Sequence, residues 1–259
     1  MVKGLYTAYT GMINEQNRMD IMTNNLANAS TVGYKKEGST SQSFDDVLTV
    51  KIKDQSVGMR NVQRLGVKNP GVKIGENYTD YSQGSFRITG NTYDLALSGE
   101  GFFAIEFTNK AGETDTKYTR AGQFTLNKDG YLVTEEGDYV LDTQNRRIRL
   151  NTLIDSSITD DGTIYQNGQA VAKIQVTDFE DYDYLEKNGE TYYQPIQGAK
   201  TIAAKAQVKS GYLEMANVQI VSEMVNLISI TRAYESNQKV VQTIDDTLDV
   251  AVNQIGRVQ

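Results

Sequence analysis

The chain is 259 residues long, carries a formal net charge of −7, and contains neither Cys nor His. That length allows one large domain or two modest ones, and the acidic balance argues against nucleic acid and anionic membrane surfaces as partners. The two missing residue types exclude disulfides, thiol nucleophiles, zinc–thiolate sites and imidazole chemistry together.

The opening, MVKGLYTAYTGMINEQ, has one Lys but no apolar h-region and no cleavage site, so it does not read as a secretory signal peptide. No stretch approaches the roughly 18–20 apolar residues that span a bilayer. No membrane insertion is expected, and the chain is cytoplasmic or leaves the cell by a route that reads no cleaved signal. Leu5, Met12, Met19 and Leu26 are spaced by sevens, and Ala8, Tyr9, Ile13 and Met22 broaden the stripe. Such spacing keeps one seam on one side of a slightly supercoiled helix. The polar side carries Asn14, Asn17, Arg18, Asp20, Asn24 and Asn25, and the helix runs into NNLANASTVGYKK (Asn24–Lys36). Asparagine is a mediocre helix former because its amide competes for backbone groups, so Asn24, Asn25 and Asn28 mark a helix end with something to bind.

Beyond it, Gly38–Ser85 is rich in Gly, Ser, Lys and Gln and reads as an extended linker with one short helix or turn at Phe44–Leu48. The helical period then gives way to alternation. YDLALSGEGFFAIEF (Tyr93–Phe107) reads as two strands around a Gly-rich turn. Asp129-Gly130 and Asn167-Gly168 sit inside alternating runs, which is the signal of a β-hairpin. The last segment resumes the seven-residue register with Ile220, Leu227, Tyr234, Val241, Leu248 and Ile255, flanked by Val221, Met224, Ile228, Ile244, Ala251 and Val252. Asn217 suits an N-cap and Gly256 a stop. About 38 residues at ~1.5 Å each make a rod on the order of 57 Å. Thr231, Gln238 and Asp245 interrupt a second seam four residues on from the first, which argues against a dry two-stranded zipper.

These elements predict an α+β chain: a helical arm over 1–35, an extended linker over 36–73, a mostly antiparallel β body over 74–214, and a second helical arm over 215–259. The arms are expected to pair as a coiled-coil-like unit. No chemistry stands out. GEGFFA (Gly99–Ala104) fits a dinucleotide fingerprint in letters, but Phe102, Phe103, Ile105 and Phe107 favour a strand where a phosphate site needs a helix. TLNKDGYLVTEE (Thr125–Glu136) has four calcium-loop positions but Thr125 where the first carboxylate belongs, between strands rather than helices. Asp178, Glu180, Asp181 and Asp183 read as a solvated acidic loop. No cofactor, metal site or catalytic residue is expected.

NNLANASTVGYKK resembles the signature that closes the N-terminal helix in axial proteins of the bacterial flagellum: the rod, hook and hook-basal-body proteins. Asn24, Asn25, Leu26, Ala27, Asn28, Thr31, Gly33, Tyr34 and Lys35 carry it. QGSFRITGNTYDLALSGEGFFAI (Gln83–Ile105), YTRAGQFTLNKDGYLVTEEGDYVL (Tyr118–Leu141) and GYLEMANVQIVSEMVNLISITRAYESNQKVVQTIDDTL (Gly211–Leu248) are similar to the body and closing helix of rod proteins. The resemblance implies a structural rod subunit that is exported by the flagellar secretion apparatus and polymerises into a helical tube carrying torque from motor to hook. It implies as partners the chain's own copies, other rod and hook proteins and the export apparatus, and a place in the basal body outside the cytoplasmic membrane. Asn24, Asn25 and Asn28 would then make polar contacts between subunits, since an amide both donates and accepts, and Gly33 would supply the turn into the body. Two rivals stand beside this reading. A coiled-coil-armed subunit of another extracellular tube or an adhesin would form closed trimers, and a carboxylate glycosidase would need two inward acids about 5–10 Å apart.

Overall fold

The computed structural model describes residues 2–52, 62–109 and 112–255. They divide into two compact units, one formed by 2–26, 37–80 and 220–255, the other by 27–36 and 81–219. Gly256 lies outside the described residues.

The first unit holds the two long helices, α1 (Val2–Ala27) and α2 (Ile220–Val250), with α2 continued by one wider turn, Ala251–Ile255. The helices touch and run antiparallel. A Cβ on Gly4 would lie 3.6 Å from Ile244 Cδ1, and one on Gly11 would lie 3.0 Å from Asn237 Nδ2. Leu5, Met12, Met19 and Leu26 are half-buried along α1, as are Leu227, Tyr234, Val241 and Leu248 along α2, while Ile220 is exposed. Ile255 closes the final turn.

The second line of covered residues on α2 lies three residues on from the first, not four. Glu223 and Ile230 are buried and Asn237, Ile244 and Ala251 half-buried, while Gln238 and Asp245 are exposed. Positions three and four residues on both flank a seam, and the side on which the partner helix lies selects between them. The polar interruptions read from Gln238 and Asp245 therefore face away from α1.

Where composition reads as a linker, the chain forms four strands. β1 (Glu37–Ser43) pairs antiparallel with β4 (Val72–Thr79), and β2 (Val47–Ile52) with β3 (Val62–Lys68). Val47 and Leu48 open β2, so no helix forms at Phe44–Leu48. The polar flank of α1 meets this segment. Asn14 exchanges hydrogen bonds with Ser41 Oγ at 3.0 and 3.2 Å, and Thr7 Oγ1 donates to Pro70 O at 3.1 Å.

The second unit is β-rich, with antiparallel pairing throughout its described strands. Its central strand is Phe102–Thr108. Thr114–Thr119 pairs along one edge, while Val176–Phe179 and Tyr139–Val140 share the other. Successive side chains on a strand point to opposite faces. Phe103 therefore enters one core with Leu95, Leu97, Phe124, Leu132 and Ile164, and Phe102 enters a second with Tyr118, Phe179 and Tyr193. Burying each such apolar side chain contributes about 1.5–3 kcal/mol. Both predicted hairpin turns form. Gly130 (φ 81°) links Phe124–Leu126 to Leu132–Thr134, and Asn167 (φ 51°) with Gly168 (φ 77°) links Thr163–Gln166 to Gln169–Lys173. Among the described residues, no helix is long and apolar enough to cross a membrane.

Candidate functional site

The segment that closes α1 folds as a short, partly buried loop. Asn25 is fully buried, and its amide mimics a β-ladder rung: Nδ2 donates to Glu37 O at 2.7 Å and Oδ1 accepts from Glu37 N at 2.9 Å. Asn28, also buried, holds the first turn of the loop, its backbone C=O accepting from Thr31 N and its Oδ1 from Thr31 Oγ1, both at 3.1 Å. Of the three amides expected to face outward, Asn24 is the exposed one. Gly33 turns with φ +70°, and a Cβ there would lie 2.3 Å from Ala121 N. Only glycine fits both demands.

Gly33 delivers two residues into the β body. Tyr34 is fully buried, with Lys187 Nζ 4.2 Å from its ring centroid. Lys35 is 1% exposed, and its ammonium reaches Glu214 Oε1 and Ser82 O, each at 2.7 Å. Glu214, 0% exposed, also takes Arg120 NH1 at 3.3 Å on Oε2 and Gly84 N at 3.0 Å on Oε1. The Arg120 guanidinium in turn stands 5.3 Å from the Phe102 ring centroid. One carboxylate between two cations compensates charges that would be costly to leave alone in a dry interior. Asn217 ties Lys36 to Ser82: Oδ1 accepts from Lys36 N at 2.7 Å, and Nδ2 donates to Ser82 O and Oγ at 3.2 and 3.0 Å. It stands three residues before α2 begins.

Sequence reasoning did not single out Arg120 and Glu214. The available signal was a charged residue between apolar or small ones in YTRAG and YLEMA, a pattern that suits a buried ion pair. The Gly-rich turn holds Gly99 and Gly101 at φ 117° and 135°, just before the central strand. A Cβ on Gly101 would come within 2.9 Å of Ala204 Cβ, so this turn is pressed against a neighbouring segment.

In the acidic loop Glu180, Asp181 and Asp183 are exposed, as expected of a solvated loop, and Asp178 is the exception. Asp178 is buried and accepts from Phe179 N at 2.9 Å and Tyr182 Oη at 2.8 Å, while Asp181 accepts from Asp183 N to start the short 3₁₀ turn Tyr182–Tyr184. Burial first, and then Asp178, hold the Tyr182 phenol above its ordinary range. Burial does the same at Tyr192, whose Oη lies 2.9 Å from both Glu136 Oε2 and Asp138 Oδ2. Both phenols stay protonated at neutral pH and brace the body. In the calcium-like stretch, Asn127 Oδ1 accepts from Asp129 N and Tyr131 N at 3.0 and 2.8 Å, so it shapes a hairpin turn.

Three stretches match family descriptions: residues 5–35 "Flagella basal body rod protein", 96–168 "Flagellar hook protein FlgE/F/G D1 domain", and 209–255 "Flagellar basal body rod FlgEFG protein C-terminal". Lys35, Arg120 and Glu214 fall one in each. The chain is 34% identical to the flagellar basal-body rod protein FlgG of Bacillus subtilis (strain 168) over 272 residues, covering 98% of this chain and 99% of that one. It is 32% identical to the flagellar basal-body rod protein FlgF of Caulobacter vibrioides over 260 residues, all of both chains. It is 30% identical to the flagellar hook-basal body complex protein FlhO of Bacillus subtilis over 272 residues, again all of both. With its helical ends, its β body and its loop carrying that shared signature, the chain belongs to the flagellar basal-body rod protein family.

Proposed function

We infer that this protein is a structural subunit of the bacterial flagellar rod, located in the basal body, and that it polymerises with its own copies into a helical tube that passes torque toward the hook. In this reading α1 and α2 pair in coiled-coil fashion and form the polymerising unit, and the segment 81–219 folds as a β body of its own. The subunit carries out no reaction. It adjoins other rod and hook proteins and reaches its place through the flagellar export apparatus. Asn24, exposed at the end of α1, makes the polar contact to a neighbour, and Asn25 and Asn28 shape the loop behind it.

The observation that carries this reading is the Lys35–Glu214–Arg120 cluster. It joins the segment after α1, the body and the segment before α2 at one buried point, as a part that must transmit load requires. The test is genetic and biochemical together: delete the gene, complement it with a tagged copy, and purify basal bodies. Loss of swimming on deletion, with the tag recovered in the rod, is the expected result. Swimming cells whose basal bodies lack the tagged protein would overturn it. A closed trimer, as an adhesin would form, would show as one fixed mass at all concentrations, whereas an open helical polymer grows with concentration.

A further inference from the structure

We propose that successive copies join through two apolar stripes at opposite ends of the helix pair, Tyr6, Tyr9 and Ile13 on α1 of one copy against Ile228, Val225 and Val221 on α2 of the next. This rests on the polymer reading above and names the surfaces and the axial step. Tyr6, Tyr9 and Ile13 are 52%, 51% and 37% exposed, and Val221, Val225 and Ile228 are 77%, 61% and 54% exposed. Each set recurs at three- and four-residue steps, so each is a continuous stripe on one side of its helix.

Charge sets these stripes apart. From Gly4 to Asn14 there is no charged residue, and from Ile220 to Thr231 there is one, Glu223, which is 1% exposed. The chain as a whole is 23% charged. Open apolar surface stripped of charge is the composition of an interface centre, not of a solvated helix face.

The spacing selects a second copy as the occupant. Read toward the C-terminus, the α1 stripe advances by three and then four residues. Read toward the N-terminus, the α2 stripe does the same. The two therefore match rung for rung when the helices run antiparallel. Copies that all point the same way along a tube place α1 of one antiparallel to α2 of the next, because α1 and α2 oppose each other within a copy. Within one copy, Gly4 beside Ile244 and Gly11 beside Asn237 set Tyr9 level with residue 239. Between copies Tyr9 meets Val225, 14 residues further along α2. At ~1.5 Å per residue the neighbour is shifted along the axis by about 21 Å. One such contact leaves an α1 stripe open on one copy and an α2 stripe open on the other, so it propagates instead of closing.

The chain has no Cys, so introduced thiols report cleanly. Full-length Tyr9→Cys and Val225→Cys are prepared separately, checked for wild-type circular dichroism, assembled alone or as an equal mixture, and oxidised. The mixture should give a disulfide-linked dimer and each single variant little. A pair one heptad out of register, Tyr9→Cys with Arg232→Cys, should cross-link at least several-fold less than the matched pair. Val225→Asp should lower the sedimented fraction of assembled chain several-fold while leaving the body's melting temperature in place. Polymers that form normally with Val225→Asp, or that cross-link equally in both pairs or mainly through Tyr9→Cys with itself, would overturn these surfaces and leave the polymer reading standing. Wild-type chain that never grows beyond monomer with concentration would overturn the polymer reading, and this step with it.

Discussion

Replacing Glu214 by Gln removes the single negative charge from between two buried cations. The carboxylate serves Lys35 Nζ at 2.7 Å and Gly84 N at 3.0 Å through one oxygen and Arg120 NH1 at 3.3 Å through the other. A glutamine of the same shape keeps one accepting oxygen but turns its NH₂ toward either Lys35 or Arg120, donor against donor. Breaking a buried pair by removing one partner costs about 3–5 kcal/mol. For a body of this size each kcal/mol moves the melting temperature by about 2–4 °C, so Glu214→Gln should lower it by roughly 6–20 °C. Lys173→Ala is the control. Lys173 lies 2.6 Å from Asp161, but that pair is largely exposed, and such pairs contribute about 0–1 kcal/mol. Lys35→Met combined with Glu214→Gln should cost less than the sum of the two single changes, because side chains in contact couple by about 0.5–3 kcal/mol. Thermal unfolding of the full chain, followed through the tyrosine signal in near-UV circular dichroism, reads all four variants. A fall of less than about 2 °C for Glu214→Gln, or strict additivity in the double variant, would refute the claim that this cluster secures the loop.

Gly33→Ala forces a side chain into both a left-handed backbone and the Ala121 amide; urea unfolding should show a loss of about 4 kcal/mol or more. Asn25→Ala orphans the Glu37 N–H and C=O, and the same assay should show about 2 kcal/mol or more. The Arg147 hydrogen bonds, 2.6 and 3.0 Å long, hold the Glu106 carboxyl below its ordinary range. A carboxyl lowered on folding adds stability above its unfolded value, about pH 4, and that stability is lost as pH falls through the lower folded value. Glu106→Gln should therefore flatten the acid side of the melting curve, and an unchanged acid limb would count against this pair. In dilute monomer the amides of Val2–Ala27 and Ile220–Val250 should exchange faster than those of Phe102–Thr108, because each helix finds only part of its cover within one chain; equal protection in mass-spectrometric hydrogen exchange would show that the arms are stable alone.

Much of this protein was determined by local sequence. Seven-residue spacing marked both long helices because a helix repeats its faces nearly every seven residues. Asn167-Gly168 and Asp129-Gly130 marked two hairpins because few residues tolerate a positive φ. Phe102 and Phe103 were legible as strand, but local pattern does not say that they enter different cores. What only the tertiary structure decided depends on partners far along the chain. Strands β1–β4 lie in a segment of linker composition, since pairing between Glu37–Ser43 and Val72–Thr79 leaves little periodic trace in either strand alone. Whether α2 turns Thr231, Gln238 and Asp245 or Ile230, Asn237 and Ile244 toward α1 depends on which side α1 approaches. Asn25 looked like an outward amide and is buried because Glu37 returns to it. Lys35, Arg120 and Glu214 are 179 positions apart from first to last; no local pattern predicts that a lysine after one helix and a glutamate before the other share a buried site, and only folding removes enough water to make their charges decide the structure.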